Sequence, residues 1–388
     1  MIPSRTLESV AEAGPLLADH GVSRAVLVVD TELEHSATAD ALRLPLARSG
    51  VSVQVHPVSG PGTLTGALEL GRRLEDADAV IALGGGSVMD RAKAAVIAGS
   101  LQEAATSAEP GHRPGALVVT PRDAMRMPIV AVPTTIGTGS ERSANTVVEA
   151  HDGRVLVSCP AIKPAIVARD PRGTRGLGAG AVVAGTFEAL CRTLAPYVGS
   201  AADRAEADEL ALAVATRLVR LGERVVDDPA TVEDDTLRLE LSRLSGLSHT
   251  SSMHRGRSPF AYKAWYVSHE LSWLSGASKS QALAVTLPAV WAAVAQGDSQ
   301  WGDTARADSA GAVLGRATTD ARRGAHLSLA LLARDWGVVP TFRQPVAPGE
   351  LAQRVHARWA VGLPHMSTVS AASLARVSER ILTPESHT

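Results

Sequence analysis

The sequence has 388 residues, 45% of them hydrophobic and 20% charged, a composition ordinary for a globular protein of two domains and long enough for a third. A net charge of -2 and an aromatic content of 3% exclude a basic nucleic-acid-binding field and leave few stacking platforms for single strands. Two widely spaced cysteines, Cys159 and Cys191, make neither a disulfide framework nor a zinc knuckle and read as buried small hydrophobes.

The first part of the chain alternates. AVLVV (25–29), VSVQV (51–55), AVIAL (79–83) and PIVAV (128–132) are short β-branched apolar runs, suited to strands buried on both faces. Helical patterns lie between them at 64–74 and 87–98, so the spacing predicts βαβ units and a parallel sheet. RVLVSCP (154–160) and AIVAR (165–169) predict further strands, and EPGHRPG (109–115) a loop. Beyond about residue 176 the pattern turns helical, over 180–195, 201–226, 234–253, 259–274, 280–295, 305–317 and 320–335. The expected organisation is α/β plus all-α: a nucleotide-binding domain over 1–175, a helical domain over 176–388, and an interdomain cleft for the ligand. No run of about 18 apolar residues spans a membrane, and MIPSRTLESV lacks the basic and apolar regions of a signal peptide. The expectation is a cytoplasmic protein without membrane or nucleic-acid partners.

In IALGGGSVMDRAK (81–93) a buried strand runs into three glycines and then a helix. Glycines such as Gly85 and Gly86 let backbone approach a ligand, and free N–H groups at a helix start favour a phosphate. Ser87 is expected to cap that helix by accepting from the backbone N–H of Asp90. A second strand ends in VAVPTTIGTGSE (130–141), where Thr134, Thr135, Thr138 and Ser140 offer hydroxyls at close spacing. Two such loops after neighbouring parallel strands suit a nucleotide. Asp30, ending VLVVD, can accept from a ribose 2′-OH and repel a 2′-phosphate, and no Arg or Lys follows immediately, which favours NAD over NADP.

The pair GGGSVMDRAKA and VPTTIGTGSE resembles the fingerprint of the iron-containing (group III) alcohol dehydrogenase family, which shares its fold with dehydroquinate synthase. PAIKPAIVARDP (160–171), PYVGS (196–200) and GLPHMSTVSAASLARVSERIL (362–382) extend the resemblance over most of the chain. It implies a dinucleotide on the N-terminal domain, with Arg154 near the cofactor ribose, a divalent metal among the C-terminal helices and often a homodimer. The metal positions, however, are substituted. The aspartate position is Glu188, its i+4 histidine Arg192, and the two downstream histidines Trp265 and Lys279; His269 matches a histidine that lines the site. Arginine stays protonated, tryptophan has no available lone pair, and lysine ligates only after losing a proton. Only Glu188 remains competent, so no metal is expected. In this the chain is similar to maleylacetate reductases, a metal-independent branch of the family.

Of 38 basic residues only four are lysines, at 93, 163, 263 and 279. The composition suggests a GC-rich genome and is compatible with a biosynthetic role. Lys279 and Arg192 place positive charge where the ion would sit, with Glu188 between them. They either plug a dead site as a salt bridge or polarise a carbonyl and hold a substrate anion. The leading expectation is a metal-independent NAD(H)-dependent reductase acting on a small, anionic carbonyl substrate in a pocket that includes Trp265, with His269 as proton donor. Two alternatives stay open: lyase or cyclase-type chemistry without net redox, and a non-catalytic nucleotide-binding protein.

Overall fold

A computed structural model describes residues 4–106, 114–120, 127–200, 205–315 and 324–383. The chain forms two compact units, Met1–Gly178 with Val232–Gly246, and Ala179–Thr231 with Leu247–Thr388.

The first unit is built on a six-stranded parallel sheet. In chain order its strands are β1 (Arg5–Leu7), β2 (Arg24–Asp30), β3 (Ser52–Val58), β4 (Ala79–Gly84), β6 (Ile129–Pro133) and β9 (Ile166–Ala168). Their spatial order is β1-β9-β6-β4-β2-β3. The four apolar runs of the sequence therefore are strands, and period 2 decides which face each residue serves. Ala25, Leu27, Val29, Ile81 and Leu83 pack with Leu17, Leu42 and Leu46 on one face. Val26, Val28, Val80 and Ala82 pack with Leu70, Val88 and Ala92 on the other. After β3 the chain returns to the far side of β2 to form β4, so the connection reverses between β2 and β4. Ligands of open α/β sheets sit outside the strand ends at such a reversal.

A three-stranded sheet of β5 (Ala116–Val118), β7 (Asn145–Ala150) and β8 (Gly153–Ser158) completes the sheet structure, β7 and β8 being antiparallel. RVLVSCP supplied β8 and AIVAR supplied β9, as expected. The short strands β1, β5 and β7 carried too little apolar pattern to be anticipated.

The second unit is helical. The expected helices appear as Ala179–Gly199, Ala205–Asp227, Lys263–Ser275, Lys279–Ala295, Thr304–Leu314 and Ala325–Asp335. Parts of the expected helices, 201–204, 316–317 and 320–323, and residues 109–113 of the expected loop lie outside the described residues. The expected helix 234–253 is two helices, Asp235–Leu247, which belongs to the first unit as far as Gly246, and Ser251–His254. It breaks where Thr250 Oγ1 donates to the Leu247 carbonyl at 2.9 Å, a side chain competing with the helical ladder. The expected start at 259 moves to Lys263, residues 259–262 forming a turn and irregular backbone before it. Lys279–Ala295 opens on a reciprocal cap: Ser278 accepts from the Gln281 N–H, and Gln281 accepts from the Ser278 N–H. Both cysteines are buried free thiols. Among the described residues no helix is long and apolar enough to cross a membrane.

Candidate active site

In the first unit, Gly84 closes β4 and the helix Gly86–Val96 starts directly after it, with Gly85 as its extended N-cap. No side chain caps this helix. Ser87 lies in its first turn and is exposed, so the expected Ser87 cap is wrong. The glycine run continues through the cap position, Gly85, and the first helical residue, Gly86, so Ser87 falls two residues past the cap and backbone N–H groups are left there.

The loop after β6 packs against that start. A Cβ on Gly85 would come 3.0 Å from Thr135 Cγ2, and one on Gly86 would come 3.1 Å from Thr138 Cγ2. The hydroxyl of Thr135 is buried with no hydrogen-bond partner among the described residues. The backbone of Thr134 donates to the Gly84 carbonyl at 3.1 Å, tying the two strand ends together. Gly137 and Gly139 have φ of +106° and +58°, values that favour glycine. The Gly137 N–H donates to Ser245 Oγ at 2.9 Å. Glycine-lined backbone, an uncapped helix start and an unsatisfied threonine hydroxyl are what a pyrophosphate requires.

Asp30 stands at the C-terminal end of β2, beside β4 in the sheet. Its Oδ1 accepts from the Glu32 N–H at 3.1 Å, so it caps the turn it was expected to offer to a ribose. Asp90 and Ser140 face the protein rather than a ligand. Ser140 Oγ donates to Asp90 Oδ1 at 3.1 Å, and the Val147 N–H donates to Asp90 Oδ2 at 3.2 Å. Arg154 on β8 pairs with its cross-strand partner Glu149 on β7 at 3.1 Å. A fully buried lysine, Lys93, joins this network. Nothing in its neighbours along the chain marks it, because a lysine at the end of a phosphate-loop helix ordinarily faces solvent.

In the second unit, the four substituted positions come together with His249. Arg192 and Glu188 are one turn apart on Ala179–Gly199, and Arg192 Nη2 donates to Glu188 Oε1 at 2.7 Å. The Arg192 guanidinium lies 4.3 Å from the centroid of the Trp265 ring, and the Lys279 ammonium lies 4.5 Å from the same centroid. Lys279 also donates to the Trp265 carbonyl at 3.2 Å. His249 Nε2 accepts from Arg192 Nη1. Because a guanidinium only donates, this contact leaves the proton of a neutral His249 ring on Nδ1. The step of five between His249 and His254 fits no single helix face, and the two belong to separate segments, so spacing alone does not reveal His249. His254 turns to the Ser248 carbonyl at 2.8 Å and to the Tyr262 hydroxyl, and burial lowers its pKa. His269, one turn after Trp265 on Lys263–Ser275, packs edge-on against Trp359 at 5.7 Å.

Glu188 and His249 are the metal-competent donors of this cluster, and both are engaged by Arg192. Among the described residues no group of three or more His, Cys, Asp or Glu is placed to hold a metal ion. This donor set does not fit a divalent ion.

Residues 6–171 match the family model described as iron-containing alcohol dehydrogenase. Over these residues the chain resembles the iron-containing alcohol dehydrogenase family. It is 31% identical over 196 residues to the probable alcohol dehydrogenase EutG of Salmonella typhimurium, covering 49% of this chain and 48% of that protein. It is 31% identical over 235 residues to the phosphonoacetaldehyde reductase of Streptomyces viridochromogenes, covering 55% and 54%. In these matches the chain spans about half the length of its curated relatives. The fold likeness extends further: NADH-dependent butanol dehydrogenase A from Thermotoga maritima superposes with a TM-score of 0.78 at 16% identity, over 98% of this chain and 97% of that one. The helical unit shares that fold and holds a cluster with arginine, tryptophan and lysine.

Proposed function

We propose that this protein is a metal-independent, NAD(H)-dependent reductase of a small anionic carbonyl compound. The observation that carries the reading is the cationic cluster: Arg192 and Lys279 both lie over Trp265, and a single carboxylate, Glu188, faces Arg192. NADH, when bound, supplies the hydride. The residues best suited to hold it are Gly85, Gly86, Thr134, Thr135 and Thr138, with Asp30 favouring a bare ribose 2′-OH and hence NAD over NADP.

Carbonyl reduction builds negative charge on oxygen. Lys279, with Arg192 beside it, would stabilise that alkoxide, the work a metal does elsewhere. Trp265 would form a wall of the substrate pocket and hold the cations over its ring. Glu188 orients Arg192 and offsets part of its charge, leaving the cluster net positive for a substrate carboxylate or phosphonate. The Streptomyces relative is named for a substrate of that kind, an aldehyde bearing a phosphonate. His269, on the helix face of Trp265, would give the proton that completes the alcohol.

The test is NADH oxidation followed by absorbance against small aldehydes and ketones bearing a carboxylate or phosphonate. Lys279→Ala should lower turnover by about a hundredfold, the usual cost of one oxyanion-stabilising group. NADH affinity should stay unchanged. Full activity in that variant would refute the assignment of Lys279.

A further inference from the structure

Lys93 is completely buried, two turns into the helix Gly86–Val96. Its ammonium has three hydrogens and meets three acceptors: the Ser140 carbonyl at 2.6 Å, Ser140 Oγ at 2.9 Å and the Asn145 carbonyl at 3.0 Å. Ser140 in turn donates to Asp90, one turn earlier on the same helix. The Asp90 carbonyl accepts from Thr146 Oγ1 at 2.8 Å, and its carboxylate accepts from the Val147 N–H. One face of this helix therefore grips the chain from Ser140 to Val147.

We propose that Lys93 is a positioning residue for the dinucleotide site: it fixes the far end of the threonine-rich loop so that Thr135 and Thr138 stay against Gly85 and Gly86, without itself touching the ligand. The proposal rests on the reading of these loops as the dinucleotide site. A loop with two positive-φ glycines among three residues has much conformational freedom to lose. Three restraints remove it before a ligand arrives: the Thr134–Gly84 backbone bond at its start, the Gly137–Ser245 bond in its middle, and the Lys93–Ser140 clamp at its end. Ordering a binding loop in advance spares the ligand that entropic cost. Lysine suits the place because a compact ammonium saturates three converging oxygens, whereas a methionine of similar length would donate to none of them and leave the Ser140 carbonyl with the Ser143 N–H at 3.1 Å. Around it stand the carboxylates of Asp90 and Glu141, with Arg169 lying 3.9 Å from Glu141 and Arg142 adjacent in sequence.

The experiment uses the whole chain and two readouts. Hydrogen exchange of the 134–147 segment is measured without nucleotide, and NADH affinity is measured by fluorescence titration from pH 7 to pH 9.5. In Lys93→Met the segment should exchange faster and NADH should bind about tenfold more weakly, the loss expected when a preorganised loop is released. Wild-type affinity should weaken as pH rises and the amine loses one donor, while Lys93→Met should be flat; a purely structural lysine would not produce that profile. A folded Lys93→Met with wild-type affinity and exchange would overturn the proposal. If that variant does not fold, Ser140→Ala decides: it keeps the carbonyl bonds but cuts the link to Asp90, so weaker NADH binding supports the clamp and unchanged binding overturns it. A wild type that binds no NADH would overturn the dinucleotide reading itself, whereas unaltered exchange in Lys93→Met would overturn the clamp alone.

Discussion

Lys93 and Lys279 show how differently one side chain can be used. Lys279 is half-buried, over an indole ring, and is proposed to work on a substrate. Lys93 is sealed inside the first unit, and burial pushes its ammonium down to about 8, with Asp90 and Glu141 pulling the other way. An ammonium whose folded pKa lies below its unfolded value costs stability below about pH 8, and that cost is relieved as pH rises toward the unfolded lysine value. Wild type should therefore gain about 3 kcal/mol relative to Lys93→Met between pH 7 and pH 10.5, each pKa unit being worth about 1.4 kcal/mol. Paired denaturant melts at the two pH values check this, and a constant difference would contradict it. At this scale the sequence showed which residue types were present and not which way they faced. Asp90 and Ser140 belonged to the right motif, yet they bond to each other and to the protein, because Lys93 behind them needs acceptors.

At the scale of elements, the start of the helix Gly86–Val96 depends on bare backbone. Gly85→Ala would press a methyl group onto Thr135 at 3.0 Å. NADH affinity should fall about tenfold, roughly 1.4 kcal/mol, because the methyl pushes Thr135 and its loop away from the helix start. Equilibrium titration measures it. In the second unit the helix Lys263–Ser275 is held by Glu270, which is fully buried. Its carboxylate accepts from Arg354 Nε at 2.6 Å, Arg358 Nε at 3.1 Å and Trp359 Nε1 at 2.8 Å. Glu270→Ala would leave those donors, two of them charged, without their shared acceptor and should cost about 3–5 kcal/mol, read as a marked drop in melting temperature by calorimetry. Most helices and the long parallel strands were legible in sequence because they bury apolar residues at regular periods. The break after Leu247 was not: Ser, His and Thr follow one another there, and whether such side chains cap, cross-link or continue a helix depends on what lies nearby.

At the scale of the molecule, the chain keeps a family's fold while its proposed chemistry moves from a metal ion to side-chain charge. Elemental analysis of the purified protein should find far less than one iron or zinc per chain, and prolonged exposure to a chelator should leave NADH-dependent turnover intact. One tightly held metal per chain, or activity abolished by chelation and restored by metal, would refute metal independence.

By itself the sequence determined the parallel sheet, the helical second part, the family resemblance of the first part and the two glycine-bearing loops, since hydrophobic period and local backbone demands are written in consecutive residues. Only the tertiary structure decided that His249 meets Arg192, that Arg192 and Lys279 share the Trp265 ring, and that Lys93 clamps Ser140. Arg192 and His249 are 57 positions apart in the chain, and Lys93 and Ser140 are 47 apart. Contacts of that reach form only when separate elements pack together, so no local pattern encodes them.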